Sequence, residues 1–175
     1  MTESTPTTTP TTTSVKDVYV NERIAQDKLA ESVNVSGNKT VTMIQKVAFN
    51  TEDTANTIYR LFKAGANLIP VSVKVITEAI TAATADLGIY EEGIGGKVYD
   101  ADALGAAVSF ATAAGVGTPV NGLNALTVET YGKKVYELAG HNVGDKDAGY
   151  DIALTLKTAA TKAGTAIIVA DFVQG

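Results

Sequence analysis

The 175-residue sequence has no cysteine and no tryptophan, and it has a single histidine, His141. A chain without cysteine forms no disulfide and offers no thiolate nucleophile and no cysteine-ligated zinc or iron–sulfur site. One imidazole cannot supply the two histidines that common zinc motifs require. We therefore expect no catalytic residue, no metal ion and no cofactor, and we predict that the protein is not an enzyme.

Basic residues are outnumbered, because 14 lysines and arginines face 19 aspartates and glutamates and leave a net charge of −5. Phosphate binding needs a basic face, so we do not expect nucleic acid as a partner. The most apolar run, residues 163–173, is too short to cross a bilayer and includes Asp171. The first 14 residues lack the basic and apolar segments of a secretion signal. We expect neither a membrane partner nor a small-molecule substrate.

Two glycine-rich segments resemble nucleotide-binding loops, and each lacks required residues. Residues 93–97 would belong to a phosphate-binding loop, but Glu91 stands where the first glycine is needed and Val98 where Ser or Thr is needed. Residues 115–117 begin a dinucleotide-binding pattern whose third glycine is replaced by Val120. The sequence therefore predicts no nucleotide site.

The acidic loops and the histidine are equally weak candidates for chemistry. Asp100 with Asp102, and Asp145 with Asp147, are fragments of a calcium loop, but two carboxylates fall well short of the six to eight oxygens that calcium prefers. We interpret the first pair as a helix cap and the second as a solvated turn. His141 has no serine in a nucleophile motif to serve, so we expect it to be a surface loop residue.

Residues 1–39 are predicted to form an extended, low-complexity N-terminal arm. Residues 2–14 read TESTPTTTPTTTS and have nothing apolar to bury, so burial cannot offset the entropy cost of ordering them. The arm is either a solvated tail or a segment that lies along a partner. Its second half fits either a short amphipathic helix or an extended crossing. The candidate partner-binding residues are Val15, Val18, Tyr19, Val20 and Ile24.

Residues 40–175 are predicted to form one domain, because apolar and polar residues there alternate with a period of two. The clearest example is residues 68–80, where Val71, Val73 and Val75 are expected on one face of a strand. Further strands are predicted at residues 40–49, 57–63, 86–90, 134–138, 152–157 and 165–173.

Two local predictions complete the fold. Residues 158–164 are short and contain glycine, so the last two strands are expected to form a hairpin. Residues 103–110 are rich in alanine and are predicted to form a short helix, with Asp100 or Asp102 as its cap. The predicted fold is all-β, an antiparallel β-sandwich of jelly-roll type with an extended N-terminal arm and this short Ala-rich helix.

Three segments resemble virion structural proteins of tailed bacteriophages, of the capsid decoration or minor head protein type. They are residues 64–90 (AGANLIPVSVKVITEAITAATADLGIY), residues 98–104 (VYDADAL) and residues 150–168 (YDIALTLKTAATKAGTAII). The resemblance extends over residues 49–175 and leaves the Thr/Pro segment out. It implies a small β-sandwich or jelly-roll protein that decorates or cements a capsid.

The resemblance gives a leading functional hypothesis. The protein would be a capsid decoration (cement) protein, located on the capsid surface of a virion that assembles in the host cytoplasm. It would bind the major capsid protein and copies of itself, as a trimer, with the arm crossing a neighbouring subunit. The alternatives are another virion component, such as a head–tail accessory, tail or fibre-base protein, and a non-viral adhesin or carbohydrate-binding module.

Overall fold

The protein is represented by a computed structural model that describes residues 15–17, 34–35, 38–81, 83–142 and 149–175. In that part of the chain there are ten β-strands and one α-helix, α1 (Val135–Leu138). The strands are β1 (Val15–Asp17), β2 (Asn34–Val35), β3 (Asn38–Phe49), β4 (Ile58–Gly65), β5 (Leu68–Thr77), β6 (Thr84–Glu91), β7 (Val98–Ser109), β8 (Val120–Asn121), β9 (Gly149–Thr158) and β10 (Gly164–Gln174). Among these residues no helix has the length and apolar character needed to cross a bilayer.

The strands form two five-stranded sheets. The first sheet has the order β1-β4-β9-β6-β7 and the second β2-β3-β10-β5-β8. Every neighbouring pair is antiparallel except β1 and β4, which run parallel. The predicted antiparallel β-sandwich is therefore confirmed, and the strands expected near residues 40–49, 57–63, 68–80 and 86–90 are present.

The core lies between the sheets and is made by inward-facing residues of both. In the first sheet Leu87 pairs with Leu154, and both side chains are buried. Phe49 of the second sheet joins the two layers, because its ring lies 5.1 Å from the ring of Tyr59 and 5.2 Å from that of Phe110. Burial raises the pKa of Tyr59, the neighbouring Asp53 carboxylate raises it further, and the hydroxyl donates a hydrogen bond to that carboxylate.

The two sheets differ in how they are covered. Strand β6 is buried at every position from Ala85 to Tyr90, and β9 is buried from Tyr150 to Leu154, so the centre of the first sheet is buried on both faces. In the second sheet, the outer-face residues of β3 are exposed, and those of β10 are half-buried except Ile167, which is exposed. The second sheet therefore presents the accessible outer face of the sandwich.

A β-bulge in β5 changes the predicted alternation of residues 68–80. Asp171 of β10 pairs with Ser72 and Phe172 pairs with Pro70, so Val71 is an extra residue between two ladder positions. Val71 is exposed while Val73 is buried, and the expectation that both lie on one face was wrong. A bulge inserts one residue and moves the following side chains to the other face.

The predicted Ala-rich helix at residues 103–110 was wrong, because this segment belongs to β7. Gly105 pairs with Leu87 of β6, and Ala107 has a left-handed φ of 48° with its N–H donating to Asp86 Oδ1 at 2.7 Å. Asp100 and Asp102 lie in the same strand and cap no helix. Pairing with β6 overrides the helix propensity of the alanines.

The strand predicted at residues 134–138 was also wrong, since α1 lies there. The backbone N–H of Lys134 donates to Glu137 Oε2 at 2.8 Å, which is one half of a capping box. Val135 and Tyr136 are the buried residues of this single turn. The apolar residues of this short segment are therefore compatible with a strand and with a helical turn, and the sequence pattern does not distinguish the two.

The predicted hairpin of the last two strands was wrong as well. Both strands exist, but β9 lies between β4 and β6 in the first sheet, whereas β10 lies between β3 and β5 in the second. Residues 158–164 therefore cross from one layer to the other. Each of the two strands is hydrogen-bonded on both sides to strands from elsewhere in the chain, so they do not pair with each other. The local sequence pattern does not show which strands will pair.

Gly88 of β6 offers a test of how tightly β6 and β7 are packed. An added Cβ would stand 2.3 Å from the carbonyl oxygen of Ala101, a backbone atom that cannot move aside alone. We expect Gly88→Ala to lower the free energy of unfolding by about 2–3 kcal/mol in urea denaturation. Gly115→Ala is the matched control, because nothing lies within 4 Å of its added Cβ. Equal stability of the two variants would contradict the described packing.

Candidate functional site

A buried ion pair joins two neighbouring strands of the first sheet. Arg60 Nη1 of β4 lies 2.8 Å from Asp151 Oδ2 of β9, and the two side chains are 1% and 2% exposed. Arg60 pairs in register with Ala153, two residues from Asp151, so both charged groups lie on the outer face of this sheet. The guanidinium also lies 5.6 Å from the centre of the Tyr90 ring.

The ion pair holds the connection between β6 and β7, residues 91–97, which we call the Ile94 loop. Arg60 donates to the carbonyl oxygens of Glu91 at 2.7 Å and Gly96 at 3.1 Å. The N–H of Gly93 donates to Asp151 Oδ2 at 3.0 Å. Because both charges take backbone partners from the loop, the loop is fixed on the outer face of the first sheet.

The loop presents an apolar side chain at its tip. Ile94 is 67% exposed and lies between Gly93 and Gly95, whose φ angles are 98° and 77°. Glycine adopts these left-handed angles without steric cost, so the chain turns sharply on either side of Ile94. The N–H of Glu91 donates to the carbonyl oxygen of Lys97 at 2.8 Å and closes the base of the loop.

The outer face of the second sheet carries a second apolar feature, which we call the apolar patch. Ile167 of β10 pairs with Lys46 of β3 and Ile76 of β5. Two residues further along β10, Val169 pairs with Ile44 of β3 and Lys74 of β5. Residues opposite each other in a ladder share a face, so these six side chains lie together. The patch consists of Ile44, Ile76, Ile167 and Val169, with Lys46 and Lys74 at opposite corners.

A polar row ends the apolar patch on one side. Asp171 of β10 accepts hydrogen bonds from Thr42 Oγ1 at 2.7 Å and from Ser72 Oγ at 2.9 Å. The three residues belong to the three strands that carry the patch. The carboxylate is therefore held in place across the sheet.

An acidic pocket of about 360 Å³ lies between β7, residues 125–133 and α1. Burial raises the pKa of Asp100, and the nearby Asp102 carboxylate adds to the rise, while hydrogen bonds from the backbone N–H groups of Asp102 and Ala103 oppose it. Within the described residues no three metal-ligating side chains come together. The lining residues are Asp100, Asp102, Ala103, Ala125, Thr130, Lys133, Glu137 and Leu138.

His141 is half-buried, which corrects the expectation of a surface loop residue. Its Nδ1 lies 2.7 Å from the hydroxyl of Tyr150, and its ring meets the ring of Tyr99 edge to face at 4.4 Å. These aromatic contacts give His141 a packing role. The second calcium-loop fragment, Asp145 with Asp147, lies outside the described residues.

Of the five candidate partner-binding residues, the structure describes only the backbone of Val15. It lies in β1 and pairs in parallel with Ile58 of β4. Val18, Tyr19, Val20 and Ile24 lie outside the described residues.

Sequence reasoning missed Arg60 and Asp151, although a signal for them exists. Each is a lone charged residue inside an apolar strand, in IYRLF and YDIAL respectively. A charge that interrupts such a run on a strand buried on both faces needs a buried partner. One positive and one negative residue of this kind form a natural pair.

Comparisons with known proteins find a similar fold in a solved structure. No protein family model matches the chain, and no curated protein matches it significantly. A chain in a structure described as the capsid of Ralstonia phage GP4 is similar with a TM-score of 0.62 and 14% identity, over 93% of this chain and 99% of that one. A chain in the cyanophage Pam1 capsid asymmetric unit gives a TM-score of 0.49 and 17% identity, over 86% and 96%. At 14% identity, the likeness to the GP4 chain establishes a shared fold.

The Arg60–Asp151 pair predicts strong coupling between two substitutions. Arg60→Met or Asp151→Asn alone leaves one buried charge uncompensated and is expected to cost about 3–5 kcal/mol of unfolding free energy. The double variant is expected to cost clearly less than the sum, as measured in a double-mutant cycle by urea denaturation. Lys63→Ala removes the exposed pair with Glu92 and is expected to cost at most about 1 kcal/mol. Additive losses would show that the charges do not depend on each other.

The Asp100 shift predicts a pH-dependent effect of Asp100→Asn. Because the pKa of Asp100 in the folded state lies above the unfolded value of 3.8, the folded protein binds this proton more tightly. The resulting stabilisation is fully present below pH 3.8 and is lost as the pH rises through the folded-state pKa. We expect the variant to melt at a higher temperature than the parent at neutral pH and at the same temperature below pH 3.8. Glu129→Gln, an exposed carboxylate outside the pocket, is the control. A gain that does not change with pH would refute this assignment.

Proposed function

We propose that this chain is a virion structural protein of a tailed bacteriophage, and that it acts as a capsid decoration (cement) protein on the capsid surface. The observation that carries the proposal is the shared fold with a chain of the GP4 capsid structure, which extends over nearly the full length of both chains. The resemblance of residues 64–90 and 150–168 to phage virion proteins points to the same role. The role needs no chemistry, only stable contacts with other proteins.

The described surfaces suit such a role. A fixed apolar loop tip and an exposed apolar sheet face are features that bind other proteins, since apolar surface gains free energy when it is removed from water. The core of the sandwich is continuous between both sheets, so the molecule can act as a rigid body on a shell. A rigid body loses little conformational entropy when it binds.

The arm supplies the second part of the proposal. Val15, Val18, Tyr19, Val20 and Ile24 are the apolar and aromatic anchors by which it would contact the major capsid protein or a neighbouring copy. Each arm adds modest affinity, but a trimer that engages three sites of a shell gains avidity because the later contacts are intramolecular. We propose such a closed trimer, assembled with the head in the host cytoplasm.

Removal of the arm tests the proposal. Purified chain is added to phage particles that lack it, either as residues 1–175 or as residues 21–175. We expect the full chain to cover the shell in electron micrographs and the truncated chain to stay unbound, because the anchors up to Val20 are gone. The truncated chain should keep its β-type circular dichroism, since the part of residues 1–20 that the structure describes is β1, a three-residue edge strand.

A chain of residues 15–175 is the control, because it lacks the Thr/Pro segment and keeps β1 with all five anchors. Binding of residues 21–175 at full occupancy would refute the role of the arm. A full chain found only as a ring at the portal vertex, or in the tail, would refute decoration and favour the head–tail or fibre-base alternative.

A further inference from the structure

We infer that copies of this chain associate head to tail, with the Ile94 loop of one copy seated on the apolar patch of the next. The inference rests on the self-association proposed above and names the two surfaces that would carry it. Both surfaces are made of described residues and neither involves the arm.

The Ile94 loop is organised before it binds. The buried Arg60–Asp151 pair holds three backbone groups of the loop, and the base of the loop is closed by a backbone hydrogen bond. Ile94 therefore projects from a fixed support with most of its surface in water. Preorganised apolar side chains bind well because little conformational entropy is lost on association.

The apolar patch is an exposed apolar surface on which such a side chain could pack. Ile44 is 40% exposed and Ile167 is 36% exposed, on the outer face of a sheet where polar residues are expected. Val169 lies beside Ile44 and Ile76 lies beside Ile167, and both side chains are half-buried, so the apolar surface extends over three adjacent strands. An isoleucine from another molecule would cover part of it.

The charges around the two surfaces are complementary. In the described part of the chain, Lys46 and Lys74 at the corners of the patch form no ion pair, and Asp171 accepts hydrogen bonds only from hydroxyl groups. Among the described residues neither Glu91 nor Lys97 of the Ile94 loop forms an ion pair, although Glu91 Oε2 accepts a hydrogen bond from the backbone N–H of Lys97 at 3.1 Å; Glu92 is paired with Lys63. In the proposed contact, the Glu91 carboxylate would form an ion pair with Lys46 or Lys74, and the Lys97 ammonium would form one with Asp171.

The geometry requires two different molecules. The Ile94 loop lies on the outer face of the first sheet and the patch on the outer face of the second, so the two features point away from each other across the sandwich. Each copy thus has one surface of each kind, which is a heterologous contact. Such contacts form a ring when the rotation between copies closes, and a ring of three would be the trimer proposed above.

The absence of cysteine from the natural sequence makes a direct test available. Isotopically labelled Ile94→Cys protein is mixed with unlabelled Ile167→Cys protein, the mixture is mildly oxidised, and the disulfide-linked dimers are separated by mass. We expect about tenfold more mixed dimer than either like dimer, the ratio that a contact free energy of about 1.4 kcal/mol gives. Circular dichroism and thermal melting are measured first, and we expect both variants to fold because both positions are exposed.

Val128→Cys is the matched control, because Val128 is 98% exposed and belongs to neither surface. When Val128→Cys is mixed with Ile167→Cys, the ratio of mixed to like dimers should be the one expected from random collision. The same random ratio from Ile94→Cys with Ile167→Cys, or an excess of either like dimer, would overturn the inference. Because the test needs no particle and no arm, either result leaves the proposed virion role to be judged by particle binding alone.

Discussion

The buried ion pair between Arg60 and Asp151 is the constraint on which the first sheet depends. Two charges taken out of water are costly unless each finds further polar partners. Here the partners come from the loop between β6 and β7, whose two carbonyl oxygens accept from Arg60 and whose Gly93 N–H donates to Asp151, while Arg60 Nε has no hydrogen-bond partner within the described residues. The loop is consequently held against the sheet, and the side chain that faces away, Ile94, is displayed in water. The need of the buried Arg60–Asp151 pair for polar partners thus fixes the position of the exposed Ile94 loop.

The unequal covering of the two sheets decides where binding surfaces can lie. Strands β6 and β9 are buried on both faces, so the first sheet offers its surroundings a loop rather than strand side chains. The second sheet keeps an accessible outer face, where the ladder of β10 with β3 and β5 brings Ile44, Ile167 and Val169 together. The proposed head-to-tail contact requires one surface on each side of the sandwich, and the Ile94 loop and the apolar patch lie on opposite sides.

Strand periodicity was readable in β3 and β5, where one face of the strand is buried, and prediction failed where the partner of a segment lies far away in the chain. Residues 103–110 carry helix-forming alanines, but Gly105 and Val108 pair with β6, and these contacts outweigh local propensity. The last two strands are adjacent in sequence, yet they enter different sheets because β4 and β6 take up the edges of β9. The candidate surfaces were missed for the same reason, since each combines residues from several strands.

The sequence by itself determined the chemical character of this protein and its class of fold. The lack of cysteine, the single histidine and the acidic balance argued against metal, thiol and nucleic-acid chemistry, and the period-two pattern predicted an all-β sandwich. Only the tertiary structure decided which strands pair, where β5 bulges, and how Arg60 meets Asp151 across 91 positions of sequence. The physical reason is that alternation records which face of a strand is buried, while pairing depends on contacts between residues distant in the chain, which no local pattern encodes.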